Sequence, residues 1–423
     1  MKTLSWIFVL LFTSAWCCSS SSGKTKVAVK QREDSLEYYP PTPTKLDQQQ
    51  YRRYYRLLSD YFDSTLLRHG FNGSILVARE GTVIYEKYTG YADLRKKDPI
   101  TDTTALHIAS SGKTFTGMAI LRLAQENQLS LTDSLEKFFP NFPYHGITVQ
   151  MLLSHRSGLP NYLYFVPSGK WDKKKYVTNA DVLNILYTEK PNRVFRPGTR
   201  FTYSNTNFVL LALIIEKISG KSFPEFMQSK FFEPLGMKHS YVFTMKDSAT
   251  ATQSYAANGT HWNYDCLEGT YGDKNIYTTP QDLLKWDQAF YTYQLINKTM
   301  QDSAFTPYSL ERPSIHNYGL AWRLLMIPNG KKVIYHNGRW HGFNAAFARL
   351  TDEKVTIIIL GNKYNSRIYT AARHAYDIFG DYRQTHDHHD EEETDNSEPD
   401  HKTDAPGKTA HHYHHSAKKK RKK

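Results

Sequence analysis

Two tracts of β-forming sequence stand at opposite ends of this chain with a long helical stretch between them, and this limits the available folds more than any other feature. Gly73 to Ala78 and Thr82 to Tyr88 are β-rich runs around Glu80-Gly81, a hairpin signature. Tyr318 to Met326, Lys332 to His336, Phe343 to Leu350 and Val355 to Leu360 alternate or run apolar with short turns between them, which predicts an antiparallel meander. Ser110 to Gln125, Val149 to Ser154, Thr206 to Ser219 and Thr279 to Tyr291 carry helical patterns instead. An opening helix is expected over Asp47 to Gly70, with Tyr54, Leu57, Leu58, Tyr61, Phe62 and Leu66 at helical spacing and Gly70 as the stop. An amphipathic helix, Arg367 to Phe379, closes the pattern. The fold class that satisfies all of this is α/β of the α+β type: one antiparallel sheet built from both chain ends, flanked by helices, with a mostly helical subdomain inserted between its parts.

The flanks read differently from this body. Met1-Lys2 and the apolar stretch Leu4 to Trp16 are too short to cross a hydrocarbon core of roughly 30 Å but suit a secretory signal, so residues 1–22 are expected to be a signal peptide and the protein to be exported, periplasmic or at the cell surface. Cys17 and Cys18 resemble the lipid-modified cysteine of bacterial lipoproteins, although Trp16 stands where a small residue is expected before Cys17. Membrane anchoring through Cys17 or Cys18 and ordinary cleavage before a Ser/Gly linker both fit. Residues 23–45, with Pro40, Pro41 and Pro43, read as a flexible linker, and residues 46–380 as the folded domain. From 381 to 423 the chain becomes a His/Asp/Glu tract, a second cluster from His411 to His415 and a basic run from Lys418 to Lys423, the composition of a disordered tail. Its histidines suit a loose metal buffer better than a built site. Cys266 is the single cysteine outside the signal region, so no intrachain disulfide framework is available and stability must come from the core.

Charge narrows the partners. Lys and Arg number 54 against 41 Asp and Glu, a formal +13, which suits solubility or attraction to an anionic surface. No zinc-finger spacing or aromatic ribonucleoprotein stripe accompanies it, so nucleic acid is not an expected partner.

Three short constellations carry chemistry. Ser110-Ser111-Gly112-Lys113 opens a helical pattern, and three residues make nearly one turn, so the Lys113 amine shares a face with the Ser110 hydroxyl. Tyr203-Ser204-Asn205 follows Phe195-Arg196-Pro197-Gly198 and leads into the helix from Thr206; its phenol can relay a proton while its amide orients a substrate carbonyl and a lysine. His336-Asn337-Gly338 is expected at the end of a strand, where a glycine admits a ligand close to the backbone and the next N–H, that of Arg339, can face an oxyanion. Taken singly, each has an ordinary structural reading: a helix N-cap, a buried tyrosine beside a capping asparagine, a surface histidine.

In combination and in this order they resemble the serine β-lactamase and penicillin-binding protein superfamily, specifically its class C β-lactamase, D-Ala-D-Ala carboxypeptidase and family VIII esterase branch. Leu152-Leu153-Ser154-His155-Arg156-Ser157-Gly158-Leu159-Pro160, Arg196-Pro197-Gly198 and Ile276-Tyr277-Thr278-Thr279 before Asp282-Leu283 extend the resemblance, which runs from about Asp47 to Phe379. It implies a β-lactamase/transpeptidase-like fold and acyl transfer through a serine acyl-enzyme on an amide or ester carbonyl, with no metal or cofactor. The catalytic residues it implies are Ser110, Lys113 and Tyr203; Asn205, His336, Gly338 and Arg339 would bind substrate. A small-molecule or peptide substrate, such as a cell-wall peptide, is the expected partner. D-amino-acid peptidase, esterase and β-lactamase activities remain open, as does a catalytically silent peptidoglycan- or peptide-binding role. His336 stands where relatives commonly carry a lysine, which removes a permanent cation for a substrate carboxylate, and Arg339 is expected to restore part of it.

Overall fold

The computed structural model describes residues 46–383. The expected signal peptide with Cys17 and Cys18, the linker up to residue 45, and the His-rich and basic tail beyond residue 383 lie outside the described residues.

The opening helix forms as α1 (Gln48–Thr65), and Asp47 caps it by accepting from the Gln49 and Gln50 N–H groups at 2.8 and 3.1 Å. The hairpin follows as β1 (Gly73–Arg79) and β2 (Thr82–Thr89). The helical region between the strand tracts includes α2 (Lys113–Gln125), α3 (Thr206–Ser219) and α4 (Pro280–Tyr291). Thr279 caps α4, accepting from Asp282 N–H at 3.2 Å, with Pro280 in the first turn, where its missing N–H costs nothing. The meander follows as β3 (His316–Tyr318), β4 (Arg323–Met326), β5 (Lys332–Trp340), β6 (Phe343–Leu350) and β7 (Val355–Gly361), and α5 (Arg367–His374) with a short 3₁₀ turn ends the fold.

The sheet has seven strands in the order β2-β1-β7-β6-β5-β4-β3, so the N-terminal hairpin joins the C-terminal meander through β1 and β7. Ile75 pairs with Ile359 and Val77 with Ile357 across that join. Both sheet faces are covered, which is why β1, β6 and β7 are apolar almost throughout rather than alternating. Leu76, Phe347, Ile358 and Leu360 pack against the helical region with Phe115, Phe208 and Trp286, while Ile75, Ala346, Ile357 and Ile359 pack against Leu58 and Phe62 of α1 and Ile368 of α5. At about 1.5–3 kcal/mol for each large apolar side chain buried, these two layers are the main stabilising contribution, and the buried Cys266 thiol forms no disulfide among the described residues.

Two expectations need correction. Tyr318 to Met326 is two strands, β3 and β4, joined through a tight turn in which Ala321 takes a left-handed φ of 68°. His336-Asn337-Gly338 is not at a strand end. It is interior to β5, because the Gly338 position still pairs with Ala345 and the strand runs on to Trp340 opposite Phe343.

Candidate active site

Ser110 lies in a 3₁₀ turn, Ala109–Gly112, that feeds directly into α2 rather than in the first α-helical turn. The change strengthens the motif's logic, since residues three apart eclipse one another in a 3₁₀ helix. Lys113, fully buried, donates from Nζ to Ser110 Oγ at 3.0 Å, to Asn205 Oδ1 at 2.6 Å and to the Asp273 carbonyl at 2.8 Å, with the Tyr203 ring centroid 4.9 Å away. Ser110, Asn205 and Tyr203, three of the predicted residues, thus converge on Lys113 Nζ. Ala109 holds a left-handed φ of 47°, a conformation costly for a residue with a Cβ. His107 Nδ1 accepting from Ala109 N–H at 3.2 Å, and packing among Tyr162 and Trp340, hold that turn in place.

The third motif closes from the sheet. A Cβ at Gly338 would meet the Ile108 carbonyl at 2.2 Å and Ser110 N at 2.9 Å, so the strand lies against the nucleophile turn only because the residue is glycine. Ser111 Oγ donates to the His336 carbonyl at 2.9 Å and ties the two backbones together. The His336 imidazole is buried and neutral: burial first, then the charges of Arg323 and Lys113, push it well below the ordinary histidine range. Its Nδ1 faces its neighbour's carbonyl, Asn337 O, at 2.7 Å, and Nε2 faces the Tyr318 hydroxyl at 3.2 Å.

Strand alternation decides Arg339. The Cβ direction at Gly338 points at Ser110, so that of Arg339 points to the other face, and its guanidinium lies 4.8 Å over the Tyr364 ring. The expectation that this side chain supplies the missing lysine charge is therefore corrected. The cation beside the site is Arg323 of β4, 5.4 Å from the Tyr203 ring centroid, which sequence reasoning did not single out.

His155 is the other missed residue, though the stretch containing it was noted. It is buried with a left-handed φ of 54°, its ring lies 4.2 Å from that of Tyr203, and its Nδ1 accepts from Ser204 N–H at 3.2 Å and from Asn207 Nδ2 at 3.1 Å. Burial, then the Lys113 charge, hold it well below the ordinary range, so it is a neutral acceptor that fixes the backbone next to Tyr203.

Asp265, Glu268 and His341 have ligand-type atoms within 4.8 Å of one another. Glu268 is already engaged: Trp340 Nε1 donates to its two oxygens at 3.1 and 3.0 Å, and His341 Nε2 lies 2.7 Å away. Burial alone would push this carboxyl up, but the His341 hydrogen bond and the charges of His341, Lys274 and His107 hold it low. The cluster anchors the end of β5.

A serine hydroxyl against a buried lysine, a tyrosine and an asparagine, with a strand margin laid along the serine turn, defines a protein of the penicillin-recognising, β-lactamase-like class. The chain belongs to the Beta-lactamase family, whose model matches residues 62–378. It is 33% identical over 344 residues to penicillin-binding protein 4* of Bacillus subtilis, covering 76% of each chain. It is 29% identical over 309 residues to protein flp of Staphylococcus aureus, covering 68% of this chain and 59% of that one. Among solved structures, a penicillin-binding protein from Bacillus halodurans superposes with a TM-score of 0.65 at 23% identity, covering 76% of this chain and 98% of that one. D-amino acid amidase from Ochrobactrum anthropi gives 0.64 at 22% identity, over 77% and 97%. These last two likenesses speak to the fold.

Proposed function

We propose that the protein is an exported serine hydrolase that transfers acyl groups through Ser110 and acts on D-amino-acid peptides or esters. The observation that carries this reading is the 3.0 Å contact between the buried Lys113 Nζ and Ser110 Oγ, with Asn205 holding the same nitrogen. Ser110 Oγ attacks the carbonyl carbon as its proton passes to the Lys113–Tyr203 pair, and the same pair returns the proton to the leaving group. The Ser110 and Arg339 N–H groups hold the oxyanion; removing one such donor costs about 2.7–4 kcal/mol in comparable enzymes. Water then hydrolyses the Ser110 ester by the reverse proton path.

Two features support the substrate class. β4 pairs with β5 only from Lys332 to Tyr335, so on that side residues 336–340 have no strand neighbour among the described residues and an extended peptide can lie along them. The buried Asn205 Nδ2 has no hydrogen-bond partner among the described residues, a donor suited to an acyl-side carbonyl. Arg323 supplies the charge for a carboxylate, and the relative named a penicillin-binding protein fits a cell-wall peptide. Labelling by a fluorophosphonate or a fluorescent penicillin that is absent in Ser110→Ala is the expected result. Wild-type protein that takes no label overturns the reading in favour of a silent binding protein. Parallel turnover of p-nitrophenyl esters, D-Ala-D-Ala peptides and nitrocefin then ranks esterase, peptidase and β-lactamase activity.

A further inference from the structure

A cavity of about 410 Å³ lies beside Tyr203 rather than at Ser110 itself: Thr202, Tyr318 and Arg323 contribute to its wall, and the Tyr318 ring and the Arg323 guanidinium lie 6.4 and 5.4 Å from the Tyr203 ring centroid. That volume falls within the range of small-ligand sites and exceeds what one carboxylate needs. Arginines from three separate segments line it: Arg200 on the loop leading to Tyr203, Arg312 on the segment before β3, and Arg323 on β4. Arg200, though exposed, stacks on Phe195, another wall residue, which holds its guanidinium at the wall. The one carboxylate in the lining, Glu311, is paired with Arg156, whose Nη1 also donates to the Tyr308 carbonyl at 2.8 Å and whose Nη2 donates to the Gly198 carbonyl at 2.7 Å. Glu311 therefore does not neutralise the three arginines, and the compartment is cationic.

We infer that this cavity is an extended anion site for the leaving group, and that the preferred substrate departs as an alcohol or amine bearing a second anionic group, a carboxylate or a phosphate, beyond the one at Arg323. The inference rests on the acyl-transfer reading. In that reaction the Ser110 Oγ–acyl bond forms, the acyl–oxygen or acyl–nitrogen bond of the substrate breaks, and the departing atom takes its proton beside Tyr203. The fragment attached to that atom is the one the Tyr203-side cavity receives. Arg323, nearest the relay, meets the first charge, and Arg200 and Arg312 meet the second.

The test compares N-acetyl-D-alanyl esters of ethanol, glycolate, malate and 3-phosphoglycerate on one preparation of the whole protein, reading kcat/KM. Malate or phosphoglycerate esters are expected to exceed the glycolate ester by about five-fold for each well-placed arginine, an advantage that disappears in molar salt. A larger gain with malate identifies a carboxylate source and a larger gain with phosphoglycerate a phosphate source. Arg200→Gln with Arg312→Gln is expected to bring both down to the glycolate level, and Arg312→Lys to restore part of the difference. Equal losses on the ethyl and anionic esters in the double variant, or a wild type that treats all four esters alike, would overturn the inference while leaving acyl transfer standing. No turnover of any ester together with no label on Ser110 removes the acyl-transfer reading and this inference with it.

Discussion

The side-chain oxygen of Asn205 lies 2.6 Å from Lys113 Nζ, although Asn205 occupies the N-cap position of α3 and makes no side-chain capping bond there. The backbone there is already helical, with φ −65° and ψ −28°, so the side chain cannot turn back onto the N–H groups of the first turn as an N-cap does. Its oxygen serves Lys113 instead. Asn205→Ser removes that acceptor without disturbing a cap, because serine is too short to reach Lys113. Acylation of Ser110 is expected to fall about 100-fold while thermal stability changes little. Stopped-flow labelling beside a thermal melt checks it; unchanged acylation would show that the Asn205 contact is incidental.

Gly338 offers a second separation of fold from function. A methyl group there collides with the Ile108 carbonyl and Ser110 N, so Gly338→Ala must push β5 away from the nucleophile turn by about 1 Å to reach an ordinary C···O contact. The pairing with β6 is unaffected by side-chain size, and the domain is expected to fold. If, as proposed, the Ser110 and Arg339 N–H groups hold the oxyanion, they then no longer converge on it, and kcat is expected to drop about 10²–10³-fold with little change in KM. A proportional rise in KM at constant kcat would place the loss in substrate binding instead.

Much of this arrangement was legible in the sequence because it is written in local periods. The apolar run of Phe343 to Leu350 and the three-residue step from Ser110 to Lys113 both survive into the structure. What was hidden depends on pairing between distant segments. Arg323 reaches the site because it pairs with Tyr335, the neighbour of His336, in the sheet, and nothing in its own surroundings in the sequence announces that. The direction of Arg339 was misjudged for a related reason: with the motif read as a strand end, alternation had no hold on it, whereas β5 in fact carries the alternation through to Trp340. The contact from Asn205 to Lys113 likewise follows from where α2 places Lys113, not from anything in Tyr203-Ser204-Asn205.

Buried neutral histidines make the fold acid-sensitive. Burial lowers His107 from the ordinary 6.5 to about 4, and His155 and His336 are also held well below that value. The unfolded chain therefore binds more protons than the folded one below about pH 6.5, so stability rises with pH through that window and is lost as pH falls toward the folded values. By pH 5 the His107 contribution lost is about 2 kcal/mol, at about 1.4 kcal/mol for each pH unit. Urea midpoints measured from pH 7.5 to 5 are expected to fall accordingly, and less steeply in His107→Asn. A flat profile would mean that carboxylate titrations offset the histidines.

Away from the site, the Arg349 guanidinium of β6 is buried against Asp287 of α4, and Thr356 Oγ1 donates to the other oxygen of that carboxylate at 2.5 Å. Arg349 also lies 4.4 Å over the Phe290 ring, so this pair joins sheet to helix through an otherwise apolar layer. Two opposite charges at 1% and 0% exposure have lost most of their hydration, and each depends on the other. Asp287→Ala strands the guanidinium and is expected to cost about 3–5 kcal/mol. Replacing both partners by apolar residues of similar volume, Asp287→Leu with Arg349→Met, removes the desolvation penalty along with the attraction and is expected to cost less than the single change. Urea unfolding of the wild type, the single variant and the double variant checks the order. If the double variant were the least stable of the three, the pair would be a net source of stability rather than a device that fixes how α4 sits on β6.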